Sequence, residues 1–386
     1  MKVNQVYSIL NTITKEQLGE QVIVNEDLSN VIEVGKTFEN VIGFDNYVRA
    51  LNDQIGKIIF VDRVYKGRVP SVFMDGWEFG SILEKVSATL PSAEENEEWE
   101  LEDGASYDPN IFYKPSIQVS CWNNRVTFEI PVSITENQVK SSFTSPVQLN
   151  AFMSMIYTAV ANALTVRYDG LISRTINNFI AETVYSDYSG DALTATSHVK
   201  SVNLLYLYNS TVNAGTDITA DEAIINMDFL KFASYMMGNY VDRMQDISTL
   251  FNIGAKERFT PKDRLHVVLL SQFKNAANVY LQSDTFHQEF TALPESETVT
   301  FWQGSGEDYS FANNSKINVK TSNNNTVEVP GILGIMFDTY ALGVTNMNPR
   351  VTTNYNPKAE FWNEWHKYDA GYFNDQNENM VVFFMA

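Results

Sequence analysis

The alternation of apolar and polar residues predicts two β-strands in the second quarter of the chain. In RVTFEIPVSIT, apolar side chains take every second position from Val126 to Ile134, which is the period of a strand with one buried face. In SILEKVSATL, every second residue from Ile82 to Leu90 shares one strand face. Pro131 has no N–H to donate, so we expect its strand to lie at the edge of a sheet.

The neighbouring segments complete a predicted two-stranded ribbon. KIIFVDRVYKGRVPSVFM, residues 57–74, is rich in Ile, Val, Phe and Tyr and is predicted to be a strand. The chain returns through IFYKPSIQVSCW, where the alternation of Ile117, Val119 and Cys121 predicts a buried thiol. Because two strands alone bury too little apolar area to be stable, the ribbon must lie on another surface. If the monomer offers none, that surface belongs to another subunit.

Helical spacing dominates the residues that follow the ribbon. Ser145 and Pro146 form a helix-start signal, a capping hydroxyl before proline. Apolar residues then keep a helical period for more than thirty residues, to Ile180, which predicts a helix about 50 Å long with Gly170 as its weak point. We expect this helix to be the spine of a folded domain. The first 55 residues predict two short helices joined by an extended segment, as an arm or as a peripheral lobe of the main domain.

The second half of the chain alternates helices and strands. Thr219 and Glu222 have capping-box spacing. RLHVVLLS is predicted to be a buried strand and FKNAANVYL a short helix, and the tail returns to strands in GILGIMFD and MVVFFMA. This order favours an α+β fold whose first domain is completed by the C-terminus.

Composition and charge exclude several functions. The formal net charge of −20 opposes a surface that grips nucleic acid, which needs clustered Lys and Arg. Cys121 is the only cysteine, so no intramolecular disulfide can form. No apolar run approaches the roughly 20 residues of a membrane helix, and we expect a cytoplasmic place of synthesis.

No motif for catalysis, a cofactor or a metal is found. The four histidines lack metal-ligand spacing, and GSGEDY is only a fragment of a phosphate-binding loop. Asp375, Asn377 and Asn379 begin like a calcium loop, but Met380 and Ala386 occupy the positions that need glycine and glutamate. We therefore predict no catalytic, cofactor-binding or metal-binding residue and no enzyme activity.

The run SAEENEEWELEDG lies between the outgoing and returning ribbon strands. Seven of the ten residues from Glu94 to Asp103 are carboxylates. A solvated loop is the simplest interpretation. The alternative is an inter-subunit contact made by eight residues of the run: Glu94, Glu95, Glu97, Glu98, Trp99, Glu100, Glu102 and Asp103.

The C-terminal stretch from ILGIMFD to the end resembles the end of a tailed-bacteriophage major capsid protein, with a buried strand ending in an acid (Asp338), an Asn-rich loop and long closing strands. FEIPVSITENQVKSSFTSPVQLNAF is similar to the ribbon-to-spine junction of the Hong Kong 97-type fold. The resemblance implies five regions: an N-terminal arm (1–55), an extended two-stranded loop (56–135), a peripheral domain with the spine helix (136–200), an apical axial domain (201–330), and return strands completing the peripheral domain (331–386).

The same resemblance implies a structural function. Copies of the chain would assemble as pentamers and hexamers into the icosahedral head of a tailed phage, built in the host bacterial cytoplasm and then part of the virion. A separate scaffolding protein and a portal would take part, and double-stranded DNA would be enclosed without sequence-specific binding; no membrane or cofactor is implied. The alternatives are an encapsulin-like bacterial nanocompartment shell and a stand-alone α+β enzyme.

Overall fold

A computed structural model of the 386-residue chain describes most of the sequence. The residues described are 3–19, 23–62, 67–74, 83–88, 103, 110–114, 117–189, 191–284, 293–304 and 309–386. The helices are α1 (Val3–Leu18), α2 (Val31–Thr37), α3 (Phe44–Asp62), α4 (Glu136–Ser142), α5 (Pro146–Tyr188), α6 (Leu204–Thr211), α7 (Ala220–Ala223), α8 (Met227–Arg243), α9 (Ser271–Asp284) and α10 (Phe311–Asn314).

The strands within the described ranges form two larger sheets and two hairpins. They are β1 (Phe73–Met74), β2 (Leu83–Ala88), β3 (Ile117–Trp122), β4 (Arg125–Thr135), β5 (Ser201–Asn203), β6 (Leu265–Leu270), β7 (Glu297–Val299), β8 (Ile317–Lys320), β9 (Thr326–Val329), β10 (Ile332–Asp338), β11 (Leu342–Asn356), β12 (Phe361–Asn374) and β13 (Met380–Phe384). The mixture of helices and strands agrees with the predicted α+β class.

The first sheet is built around a long C-terminal hairpin. Its strand order is β1-β11-β12-β4, and β12 pairs antiparallel with both β11 and β4. β4 lies at the edge with Pro131 opposite Trp365, so the edge position predicted from proline is confirmed. The Asn-rich residues that follow Asp338 were expected to form a loop but form β11 instead, because their backbone pairs with β12 along almost the whole strand.

The second sheet contains the most buried strands of the chain. Its order is β5-β13-β10-β6-β7, and every residue of β10 and β13 is buried. The strands predicted in RLHVVLLS, GILGIMFD and MVVFFMA are thus confirmed. Residues 331–386, predicted to complete the peripheral domain, supply strands to both sheets: β11 and β12 join the first sheet, whereas β10 pairs with β6 on one side and β13 on the other.

Helix α5 is the predicted spine and is longer than expected. It begins where Ser145 Oγ accepts a hydrogen bond from Gln148 N (3.2 Å), and it ends before Ser189, which has a positive φ of 35°. At about 1.5 Å per residue its 43 residues span about 65 Å. The helix contacts strands of both sheets. By length and hydropathy alone it could cross a membrane, although many of its apolar residues, among them Leu149, Ile156 and Ile176, are buried.

Three helices, not two, form the N-terminal region of the described chain. Tyr47, Val48, Leu51 and Ile55 lie on the buried face of α3, which packs on α1 and β11. Residues 57–62 were predicted to begin a strand, but they continue α3, so the local strand preference of Ile and Val does not decide their structure. The helix also crosses the boundary predicted between residues 55 and 56; the division into domains stays a prediction.

Candidate functional site

The ribbon of β2 and β3 has two faces of different character. The strands pair antiparallel, with Val86 opposite Val119 and Lys85 opposite Ser120. Side chains of the inward face are half-buried against the rest of the chain: Leu83, Lys85, Ser87, Gln118, Ser120 and Trp122. Those of the outward face are exposed: Glu84, Val86, Ala88, Ile117, Val119 and Cys121.

The inward face is attached to the body of the subunit by ion pairs. Lys85 Nζ lies 2.7 Å from Asp375 Oδ2 and 2.7 Å from Glu378 Oε1, in the turn between β12 and β13. Arg258 Nε donates to the same Glu378 oxygen at 3.2 Å. Both carboxylates are buried, so water screens these pairs less than it screens pairs on the surface. The ribbon therefore has a defined attachment to its own subunit.

Aromatic packing adds to this attachment. The rings of Trp122 and Phe373 lie 5.3 Å apart between centroids, within the usual range for a favourable aromatic pair. The sequence showed the ribbon but not these contacts. Lys85 gives a weak sequence signal for the attachment, because it is a charged residue on the strand face opposite to that of Val86. Asp375 was considered only as part of a failed calcium loop.

The outward face presents apolar side chains to solvent. Val86 and Ile117 are each 62% exposed and Val119 is 50% exposed. Just before β3, the consecutive residues Ile111, Phe112 and Tyr113 are also exposed, Phe112 by 83%. Contiguous apolar side chains on a surface mark a contact with another molecule. The expectation that Cys121 is buried is wrong: its side chain is exposed, because the apolar face of β3 points away from the subunit.

The acidic run predicted to make an inter-subunit contact lies mostly outside the described residues. This holds for Glu94, Glu95, Glu97, Glu98, Trp99, Glu100 and Glu102. Asp103 is described and is exposed in a turn. The role of the run stays a prediction.

Charged side chains elsewhere do not form a metal site within the described ranges. No group of three or more His, Cys, Asp or Glu residues there is placed to hold a metal ion. Glu364 and His366 form a buried pair, with 4.0 Å between Oε2 and Nε2. Burial raises the pKa of Glu364 to about 8 and lowers the pKa of His366 to about 4. At neutral pH both groups are therefore mostly uncharged.

Comparison with known proteins assigns the chain. Residues 10–384 match the family model described as Phi29-like phage major capsid protein. This match defines the class as phage capsid subunits. The chain belongs to the family of Phi29-like phage major capsid proteins, and it is a major capsid protein of a tailed phage head. The resemblance seen in the sequence is confirmed, and the encapsulin alternative is not favoured.

The chain is also similar to chains of solved phage structures, at low identity. The capsid of Staphylococcus phage Andhra is 11% identical, with 85% of this chain and 86% of that chain covered and a TM-score of 0.46. A structure of the head fiber and inner core protein gp22 of native bacteriophage P68 includes a chain that is 10% identical, with 84% and 86% covered and a TM-score of 0.48. None of the curated proteins matches the chain. The assignment rests on the sequence family.

Proposed function

We propose that copies of this chain form pentamers and hexamers whose contacts include the outward face of the β2–β3 ribbon lying on a neighbouring copy. The exposed apolar residues of that face are the observation that carries the proposal. The ribbon is attached to its own subunit by its other face, which leaves the apolar face available to a second molecule. A second copy is the natural occupant, because a capsid protein self-assembles.

The energy available from this face is substantial when it is repeated in every subunit. Burying one exposed valine or isoleucine stabilises a contact by roughly 1–2 kcal/mol. Val86, Ile117 and Val119 lie on adjacent strands within one patch, and Ile111 and Phe112 lie just before β3 in the sequence. A shell repeats this contact many times, so a weak pairwise interface is sufficient for closure.

Assembly partners complete the proposal. The subunits carry a formal charge of −20 each and repel one another, so we expect salt to favour closure. Membership of the phage capsid family supports assembly in the host cytoplasm with a separate scaffolding protein and a portal. Double-stranded DNA is enclosed without sequence-specific contacts. A shell protein of this kind needs no catalytic group or cofactor, and we assign it none.

The test is a charge placed on the outward face. Val86→Lys should strongly reduce the yield of closed particles when the chain is expressed with its scaffold, because an ammonium group would be buried at the contact. Light scattering and negative-stain microscopy measure the yield. Val279→Lys, on the exposed surface of α9, is the matched control and should assemble normally. Equal yields for Val86→Lys and wild type would remove the ribbon face from the assembly contact.

A further inference from the structure

A cavity with a basic lining lies where the spine helix meets β8. Its volume is about 460 Å³, and its walls come from α5, from residues 301–304 and from β8. Three cationic side chains line it: Arg68, Arg174 and Lys320. The chain has 27 Lys and Arg against 47 Asp and Glu, so three cations at one cavity are a local reversal of the prevailing charge.

Arg68 is held in place at this cavity by three contacts. Its guanidinium lies 4.4 Å above the Phe301 ring. Its Nη2 donates to Ser173 Oγ at 3.4 Å, and its backbone N–H donates to Asp169 Oδ1 at 3.2 Å. A guanidinium fixed in this way loses little conformational freedom when it binds an anion.

The other two cations are more open. Arg174 is exposed and its guanidinium lies 5.1 Å from the Tyr372 ring centroid. Lys320, at the end of β8, is also exposed. Neither forms an ion pair with any residue in the described part of the chain. The Asp169 carboxylate accepts a hydrogen bond from the Arg68 backbone N–H. The cavity therefore offers positive charge to an anionic ligand.

We propose that this cavity receives the acidic segment, residues 94–103, of a neighbouring copy. The argument is charge complementarity: the segment carries seven carboxylates in ten residues, and carboxylates bind arginine forks with good geometry. The segment belongs to the same loop as the ribbon, whose outward face we place on a neighbouring copy. The inference rests on that proposed function and adds the receptor for the acidic segment.

Genomic DNA phosphate is the competing anion for the cavity. Tight binding to the genome would bring little advantage to an acidic shell protein. Three cations at one cavity are also few compared with the extended basic surfaces of DNA-binding proteins. A short acidic peptide fits a cavity of this size better than a duplex. We therefore favour the peptide and make DNA an outcome of the test.

The test measures binding in trans to the full chain. The receptor is an unassembled subunit in which the seven carboxylates of its own segment are changed to amides, so that its own segment does not compete. A fluorescent peptide of residues 92–104 is the ligand, and anisotropy is the readout. We expect Arg174→Glu with Lys320→Glu to weaken binding at least tenfold, and rising salt to weaken it further. Lys15→Glu with Lys358→Glu, a matched charge reversal at exposed positions, should leave binding unchanged.

Each outcome decides the inference. Equal peptide binding to the cavity variant and the control variant, or no binding to any receptor, overturns it. Displacement of the peptide by duplex DNA at lower concentration overturns the choice of ligand. In assembly, the cavity variant should give fewer particles. Charge reversal of the acidic segment on the same chain should restore the yield, by the substitutions Glu94→Lys, Glu95→Lys, Glu97→Lys and Glu98→Lys. Normal particles from the cavity variant sink this inference alone, whereas the absence of particles from the wild-type chain with its scaffold would sink the proposed function.

Discussion

Two sets of buried carboxylates in the last 25 residues of the chain are stabilised in opposite ways. Asp375 and Glu378 lie in the turn after β12 and pair with Lys85 and Arg258. Glu364 lies within β12, fully buried, and neither of its carboxylate oxygens has a hydrogen-bond partner in the described chain. The first set is thus paired with cations, whereas burial without such a partner raises the pKa of Glu364 to about 8.

The environment of Glu364 explains this difference. Its strand packs beneath α3, and the nearest titratable group, His366, lies 4.0 Å away and is just as buried. The Asn52 amide opposes the rise in the pKa of Glu364, but its Nδ2 donates to Val48 O at 2.8 Å. No Lys or Arg of the described ranges pairs with Glu364, and desolvation by burial is the main cause of its raised pKa.

The largest expected effect is at Glu364. Its folded pKa of about 8 lies above the ordinary value of 4.5, so its contribution to stability is complete below pH 4.5 and is lost as pH rises towards 8. Each pH unit in that window costs about 1.4 kcal/mol. Relative to wild type, Glu364→Gln should gain up to about 5 kcal/mol between pH 4.5 and 8, measured by urea unfolding of unassembled subunits.

The control for this prediction is Glu129→Gln. Glu129 is exposed on β4, which pairs with β12, so Glu129→Gln makes the same chemical substitution without changing the buried pair. Its pH profile should run parallel to that of wild type. A Glu364→Gln profile parallel to wild type as well would mean that Glu364 keeps its charge in the folded chain.

His366 should show the opposite slope. Its folded pKa of about 4 lies below the ordinary 6.5, so its contribution is complete above pH 6.5 and is lost as pH falls towards 4. His366→Gln should therefore gain up to about 3 kcal/mol over wild type as pH falls through that window. In wild type the two slopes oppose each other between pH 4.5 and 6.5, because folding there releases one proton from His366 and takes one up on Glu364.

Urea unfolding at half-unit pH steps can resolve this cancellation. The wild-type contribution of the pair should be flat from pH 4.5 to 6.5, and each single variant should reveal the slope of the remaining group. If the stability of Glu364→Gln and of His366→Gln changed with pH in the same direction, the pair would not be neutral in the folded chain.

Local patterns predicted the elements of this fold well where the pattern and the packing agree. The helix start at Ser145, the edge position of Pro131 and the buried strands β10 and β13 all follow from capping, a missing donor and apolar runs. The end of α3 was missed, since its Ile, Phe and Val residues favour a strand locally, whereas the helix that begins at Phe44 continues through them.

The candidate site was predicted only in part. The ribbon and its need for a second surface follow from alternation and from the weakness of two strands alone. The sequence does not tell which face of the ribbon lies on its own subunit, because both the apolar face and the face with Lys85 could be buried. Contacts between Lys85 and Asp375 join residues 290 positions apart, and local periodicity carries no information about such a separation.

The smallest effect that we expect concerns the attachment of the ribbon. Lys85→Met keeps the aliphatic stem but removes the cation from Asp375 and Glu378. Removing one partner of a buried pair is costly, but Lys85 is 23% exposed and Arg258 still pairs with Glu378, so we expect a loss of about 2 kcal/mol. Urea unfolding measures the loss, and limited proteolysis should show faster cleavage between residues 75 and 116.

The matched control for this attachment is Lys316→Met. It breaks the exposed Lys316–Glu328 pair, whose side chains are 42% and 51% exposed. Exposed pairs contribute about 0–1 kcal/mol, so the control should barely change stability or cleavage. If both variants lose the same small amount, the carboxylates of the turn do not depend on Lys85. The contrast between a carboxylate neutralised by a cation and one neutralised by a proton would then rest on Arg258 alone.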